Sequence, residues 1–107
     1  MLPVKTCNNR TMEAPSAAFS TDAHTIPSGT KPVLVAGYEG TRRSVTITAD
    51  DDNAGDVYVV ASPSGAKSQG IRIVAGRSLT LGTAAAVYAL APTGGVVYVV
   101  SEIGSIG

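Results

Sequence analysis

One histidine, His24, sits two residues after Asp22 in the stretch "SAAFSTDAHTI", with serines close by. Imidazole, carboxylate and hydroxyl are the parts of a hydrolytic triad, but a triad needs each group rigidly oriented by its neighbour. Nothing around His24 shows a sustained period, so the sequence reads it as a solvent-facing side chain. Cys7, the single cysteine, has no second thiol to bridge and no defined electropositive surroundings to activate it. It points to folding under reducing conditions. No catalytic residues are expected, and the chain is read as a non-enzyme.

The densest group of ligating side chains is "ADDDNAGD", with Asp50, Asp51, Asp52 and Asp56. Asp50 and Asp52 match the first two ligand positions of the helix-flanked calcium loop. Ala54 fails the third, and no glutamate stands at the twelfth. The expected element is a turn in which Asp and Asn bond their own backbone. "GAKS", Gly65–Ser68, lacks the spacing of a phosphate loop and is also read as a turn. No Cys/His spacing suits zinc, so neither metal nor other cofactor is expected. In "TRRS" the adjacent Arg42 and Arg43 open a strand. By alternation only one of them faces out, and burying the other requires a partner for its charge. A solvated strand end, or an ion pair with an acid of a neighbouring subunit, would meet that need.

These groups must be held by a framework whose hydrophobic period is two. "RSVTITA" sets Val45, Ile47 and Ala49 against Ser44, Thr46 and Thr48. "DVYVVAS" sets Val57 and Val59 against Tyr58 and Val60, and "GIRIVAG" and "RSLTLG" alternate likewise. Turn residues punctuate each run. About seven antiparallel strands are predicted, near Pro32–Ala36, Arg43–Ala49, Val57–Ser62, Ile71–Val74, Ser78–Leu81, Ala86–Leu90 and Val96–Ser101. The fold class is all-β, a small jelly-roll-like β-sandwich with no helix longer than one turn. Residues 1–30, rich in Pro, Ser, Thr and Ala, are read as an irregular extended arm, and 31–107 as the domain.

Val-Tyr followed by two apolar residues recurs at Val57, Val87 and Val97. The unequal separations exclude a repeat array. Each echo is read as a central strand covered on both faces, the last two pairing as a hairpin through "APTGG". One small sandwich covers one face of each sheet, so the surplus apolar surface points to an interface with another subunit or protein.

Of the 107 residues only 15% are charged, and eight basic residues balance eight acidic ones. A chain with no basic surplus is a poor nucleic-acid binder. The longest apolar runs fall short of the roughly 20 residues of a membrane span, and no signal peptide is read at the N-terminus.

The run "TRRSVTITADDDNAGDVYV" followed by "GIRIVAGRSLTLGTAAAVYAL" resembles the small β-structured virion proteins of tailed bacteriophages. The matching positions are Arg42 to Ile47, Val57 to Val59, Gly70 to Ser78 and Val87 to Ala89, within roughly residues 32–102. The resemblance implies a capsid decoration or cement protein. Such a protein is assembled in the host cytoplasm, forms a homodimer or homotrimer, and binds the major capsid protein on the outside of the head. Head or tail fibre, glycan-binding and head–tail connector roles remain alternatives. The residues assigned to interfaces are Phe19 and Ile26 as anchors in the arm, Arg42 and Arg43, and Tyr58, Val60, Tyr98 and Val100, which alternation alone lets point to either face of their sheets.

Overall fold

A computed structural model describes residues 16–104. Eight strands follow in chain order: β1 (Ser16–Ile26), β2 (Val33–Ala36), β3 (Arg42–Ala49), β4 (Val57–Val60), β5 (Ile71–Ile73), β6 (Ser78–Leu81), β7 (Val87–Leu90) and β8 (Gly95–Gly104). A single 3₁₀ turn at Lys67–Gln69 is the only helical element among the described residues. No helix is long and apolar enough to cross a membrane.

The strands form two four-stranded antiparallel sheets, ordered β1-β8-β3-β6 and β2-β7-β4-β5. Pairing joins first with last, second with seventh, third with sixth and fourth with fifth. Two further ladders, β3–β8 and β4–β7, close each sheet. This is a long hairpin ribbon rolled on itself, the jelly-roll form of the sandwich.

Alternation decides the core. Ile26, Val45, Ile47, Ala49, Val97 and Val99 point inward from the first sheet. They meet Val35, Val57, Val59, Ile73, Val87 and Ala89 from the second. No aromatic ring is among the core residues, so β-branched side chains fill the gap between the sheets. The expected partition of Val45, Ile47 and Ala49 from Ser44, Thr46 and Thr48 holds throughout β3.

Three expectations are corrected. Residues 16–26, assigned to the irregular arm, form an 11-residue edge strand that pairs with β8 from Ser16↔Gly104 to Ile26↔Gly95. Its inward positions Ser20, Asp22 and His24 are polar, so it carries no apolar period. It is held by its backbone ladder and by Ile26, which lies in the core. Residues 1–15, including Cys7, lie outside the described residues.

The second correction concerns "APTGG". It does not close a β7–β8 hairpin but carries the chain from one sheet to the other. Gly94, at φ +78°, makes the turn. Asn53 then receives the chain, its side-chain amide bonding both the N–H and the C=O of Val96 at 2.8 and 3.0 Å.

The third correction concerns the outer face of β4. The 61–70 loop folds back over it, with Gly65 and Gly70 so close to Val60 that a Cβ on either would lie 3.0 Å or less from that side chain. Val60 is therefore buried by its own chain. The Lys67 ammonium sits 5.5 Å from the centre of the half-buried Tyr58 ring. The apolar surplus of this strand needs no second subunit.

Ile47→Ala should cost about 2–5 kcal/mol, because it removes a wholly buried side chain between the sheets. Thr46→Ala, one residue away on the outer face, should cost under about 1 kcal/mol. Urea unfolding of the two variants checks the assignment of faces.

Candidate interaction surface

Arg42 is the one charged side chain in the interior among the described residues, with 7% of its surface exposed. The β3–β8 register shifts between Arg42 and Ser44, so a bulge turns Arg42 inward while Arg43 stays exposed, its stem lying over Gly104. The guanidinium donates from Nε to Thr83 O (2.9 Å), from Nη1 to Gly37 O (2.9 Å) and from Nη2 to Ala85 O (2.6 Å). It thus ties the β2–β3 loop to the β6–β7 loop. The expectation of an intersubunit ion pair or a solvated strand end for Arg42 is corrected: its partners are carbonyls of its own chain.

The hydrolytic constellation does not assemble. Ser20, Asp22 and His24 do share the inward face of β1, since they oppose Ser101, Val99 and Val97. Asp22, however, stands between the other two, and Ser20 and His24 are about 13 Å apart at strand spacing. A triad requires the imidazole in the middle. His24 Nε2 lies 3.2 Å from Asp22 Oδ2, but without hydrogen-bond alignment. This nitrogen is buried and has no hydrogen-bond partner.

The long strands β1 and β8 overhang the four-residue β2. A cleft of about 320 Å³ opens there, lined by Asp22, Tyr38, Glu39, Arg42 and Ser101 among others. The Thr41 hydroxyl and N–H both donate to Glu39 and hold its carboxyl below the usual value of 4.5. At the opposite side of the sandwich Ile71, though on the inward side of β5, is half exposed. It lines an apolar groove of about 280 Å³ with Leu81, Ala86 and Val87.

The acidic cluster is the expected turn. Asp50, Asp51 and Asp52 bring carboxylate oxygens within 4.8 Å of one another. Asp50 accepts from the Asp52 N–H and from the Tyr98 hydroxyl (3.4 Å).

Among the described residues nothing covers the outer face of the first sheet. Its β3–β6 half is a ladder of hydroxyls, Thr46 to Thr80 at 2.8 Å and Thr48 to Ser78 at 2.7 Å. Its β1–β8 half carries the exposed apolar side chains Phe19 (70%), Tyr98 (45%) and Val100 (37%) among Thr21, Thr25 and Glu102. Of the eight residues assigned to interfaces, Phe19, Tyr98 and Val100 meet on this face. Ile26, Arg42 and Val60 are interior, Tyr58 is capped by Lys67, and Arg43 lies at the rim. Sequence reasoning missed the hydroxyl ladder, although the alternating Thr46 and Thr48 carry its signal.

Two measurements follow from these contacts. Arg42→Met strands three carbonyls and should cost about 3–5 kcal/mol. Arg42→Lys should recover little of that, because an ammonium cannot reproduce the planar fork. Denaturant unfolding of the two variants tests this. Asp50, assisted by the partial burial of the ring, holds the Tyr98 hydroxyl above its ordinary 10.0. Its share of stability is thus present below pH 10 and is lost as pH rises through the folded value. Asp50→Asn should bring the Tyr98 titration, followed by NMR, back toward 10.

No family model matches the chain, and no curated protein matches it. Among solved structures, an RmlC-like cupin from Shewanella frigidimarina superimposes with a TM-score of 0.54 at 15% identity, covering 82% of this chain and 68% of the other. At that identity the two share the fold alone: the chain is a β-sandwich of the jelly-roll class.

Proposed function

We propose that this chain is a non-enzymatic structural protein of a tailed-phage virion, a decoration or cement protein. In this reading it sits on the outside of the head and bridges major capsid proteins. The observation that carries the reading is the apolar band of Phe19, Tyr98 and Val100 on an otherwise hydroxyl-rich sheet face. Among the described residues the middle of the sandwich is walled by Val, Ile and Ala, and this reading places the contact on the surface. The band adjoins the acidic turn at Asp50–Asp52 through the Tyr98 hydroxyl, so one face presents both a dry contact and a charged rim. Net neutrality favours docking on a protein lattice over attraction to packaged DNA.

A second reading, a glycan-binding module of the virion, draws on the same face. Phe19 and Tyr98 are exposed rings beside ordered hydroxyls, a combination that suits a sugar. Screening against glycans separates it from cement. Copy number separates cement, which coats the head lattice, from a connector ring, which is present in few copies.

Tyr98→Ser with Val100→Glu should lower occupancy on purified heads at least about thirtyfold, the effect of losing a central apolar anchor. The fold should persist, since both side chains are outside the core. Full occupancy by that variant would overturn the cement reading. A test of the N-terminal segment must stop before Ser16, because a longer deletion removes β1 and the buried Ile26.

A further inference from the structure

Each sheet ends in two edge strands, and three of the four are short: β2, β5 and β6 have 4, 3 and 4 residues. The fourth, β1, has 11. Short length, Lys, Pro, bulges and inward-pointing charges are the usual protections of an edge, and of these β1 has the inward Asp22. β1 contains neither Lys nor Pro, and its register shift lies at its outer end, between Ser16 and Ala18. Among the described residues it is, from Ala18 to Ile26, a regular strand with one side unpaired.

The direction of its free backbone groups is visible at Ala23. That N–H donates to Asp22 Oδ1 at 2.9 Å, so it is turned away from β8. By the alternation of antiparallel ladders, the N–H and C=O groups of Thr21 and Thr25 face the same way. The inward side chains beside them, Asp22 and His24, are an acid and a base two residues apart.

We propose that the free edge of β1 pairs antiparallel with β1 of a second copy, about a two-fold axis through Ala23. The two sheets then join into one of eight strands. In this register the Ala23 residues of the two copies exchange their backbone hydrogen bonds, and Thr21 does so with Thr25 of the second copy. Asp22 stands opposite His24 of the second copy, and His24 opposite its Asp22. These are the narrow, non-hydrogen-bonded positions, where opposed Cα atoms are about 4.5 Å apart and side chains meet most closely. His24 Nε2, buried and 3.2 Å from Asp22 Oδ2 of its own chain without hydrogen-bond alignment, gains a second carboxylate that can align with it. Nε2–H can donate one hydrogen bond to it, in the Nε2-protonated neutral imidazole and in the imidazolium alike.

Charge selects this register over its neighbours. An axis at Asp22 sets carboxylate against carboxylate, and an axis at His24 sets imidazole against imidazole. An axis at Thr21 leaves His24 facing Ala18. Only the Ala23 axis satisfies the acid and the base twice with one set of contacts, as a closed two-fold interface requires. Pro27, which has no N–H, follows Ile26 and ends the pairing. This inference supplies a surface for the self-association in the proposed reading. It does not depend on what the assembled copies bind.

The test uses the full chain in the absence of heads, so its result is separable from capsid binding. Sedimentation equilibrium across the micromolar range should give a monomer–dimer equilibrium. Amide exchange at Thr21, Ala23 and Thr25 should slow as protein concentration rises. Asp22→Lys should weaken the dimer at least about tenfold, and adding His24→Glu should restore it to within about threefold. A chain that stays monomeric at high concentration overturns the proposal and leaves the edge to a foreign strand. A dimer untouched by Asp22→Lys, or one abolished instead by Val100→Glu, also overturns it. If Asp22→Lys fails to fold, the exchange measurement on the unaltered chain still decides.

Discussion

The position of β8 is the constraint on which the molecule depends. This strand lies between β1 and β3, hydrogen-bonded on both sides, and its Val97 and Val99 meet the middle of the second sheet. One of its partners, β1, comes from the far end of the described chain and the other, β3, lies about fifty residues back, so the first sheet cannot close until nearly all of the described chain has been gathered. Such non-local pairing is slow to form because loop closure precedes the contacts that reward it. Two devices hold β8 in place. Asn53 grips both backbone groups of Val96 where the strand begins. Near its end, Gly104 N–H donates to Thr41 O, next to the bulge that seats Arg42.

Strands with one apolar face were legible in the sequence because a period of two is a direct imprint of burial. β3 and β6 fall where alternation placed them, and the three Val-Tyr echoes are indeed central strands, β4, β7 and β8. β1 was not legible. A strand whose inward side chains are Ser20, Asp22 and His24 looks like a polar loop, and only pairing with β8 reveals it. Arg42 shows the same limit in reverse. The choice between two adjacent arginines was visible as a problem of alternation. Its solution, three carbonyls from loops distant in sequence, depends on tertiary geometry that no local pattern encodes.

The two sheets deal with their outer faces differently, and this decides which surface is available. On the second sheet the 61–70 loop covers Val60, and Lys67 caps Tyr58, so apolar residues there are an internal matter. On the first sheet β3 and β6 satisfy their outer hydroxyls with one another, which leaves them little to gain from a partner. Phe19, Tyr98 and Val100 have no such internal solution. Among the described residues, the exposed apolar side chains of the first sheet therefore concentrate on the β1–β8 half of its outer face, beside the long edge of β1.

Face and edge are separate resources, because a β-strand directs its side chains perpendicular to the sheet and its hydrogen bonds within it. The Asp22 carboxylate bonded to Ala23 N–H partly blunts the edge, since it occupies a donor that would otherwise recruit any passing strand. That contact is between neighbouring residues on an exposed strand, so a backbone carbonyl can replace it at little cost. A protected edge that opens only to a strand presenting both a carbonyl and a complementary side chain is selective. A chain built this way can use its edge for its own kind while its apolar face stays free for a different surface.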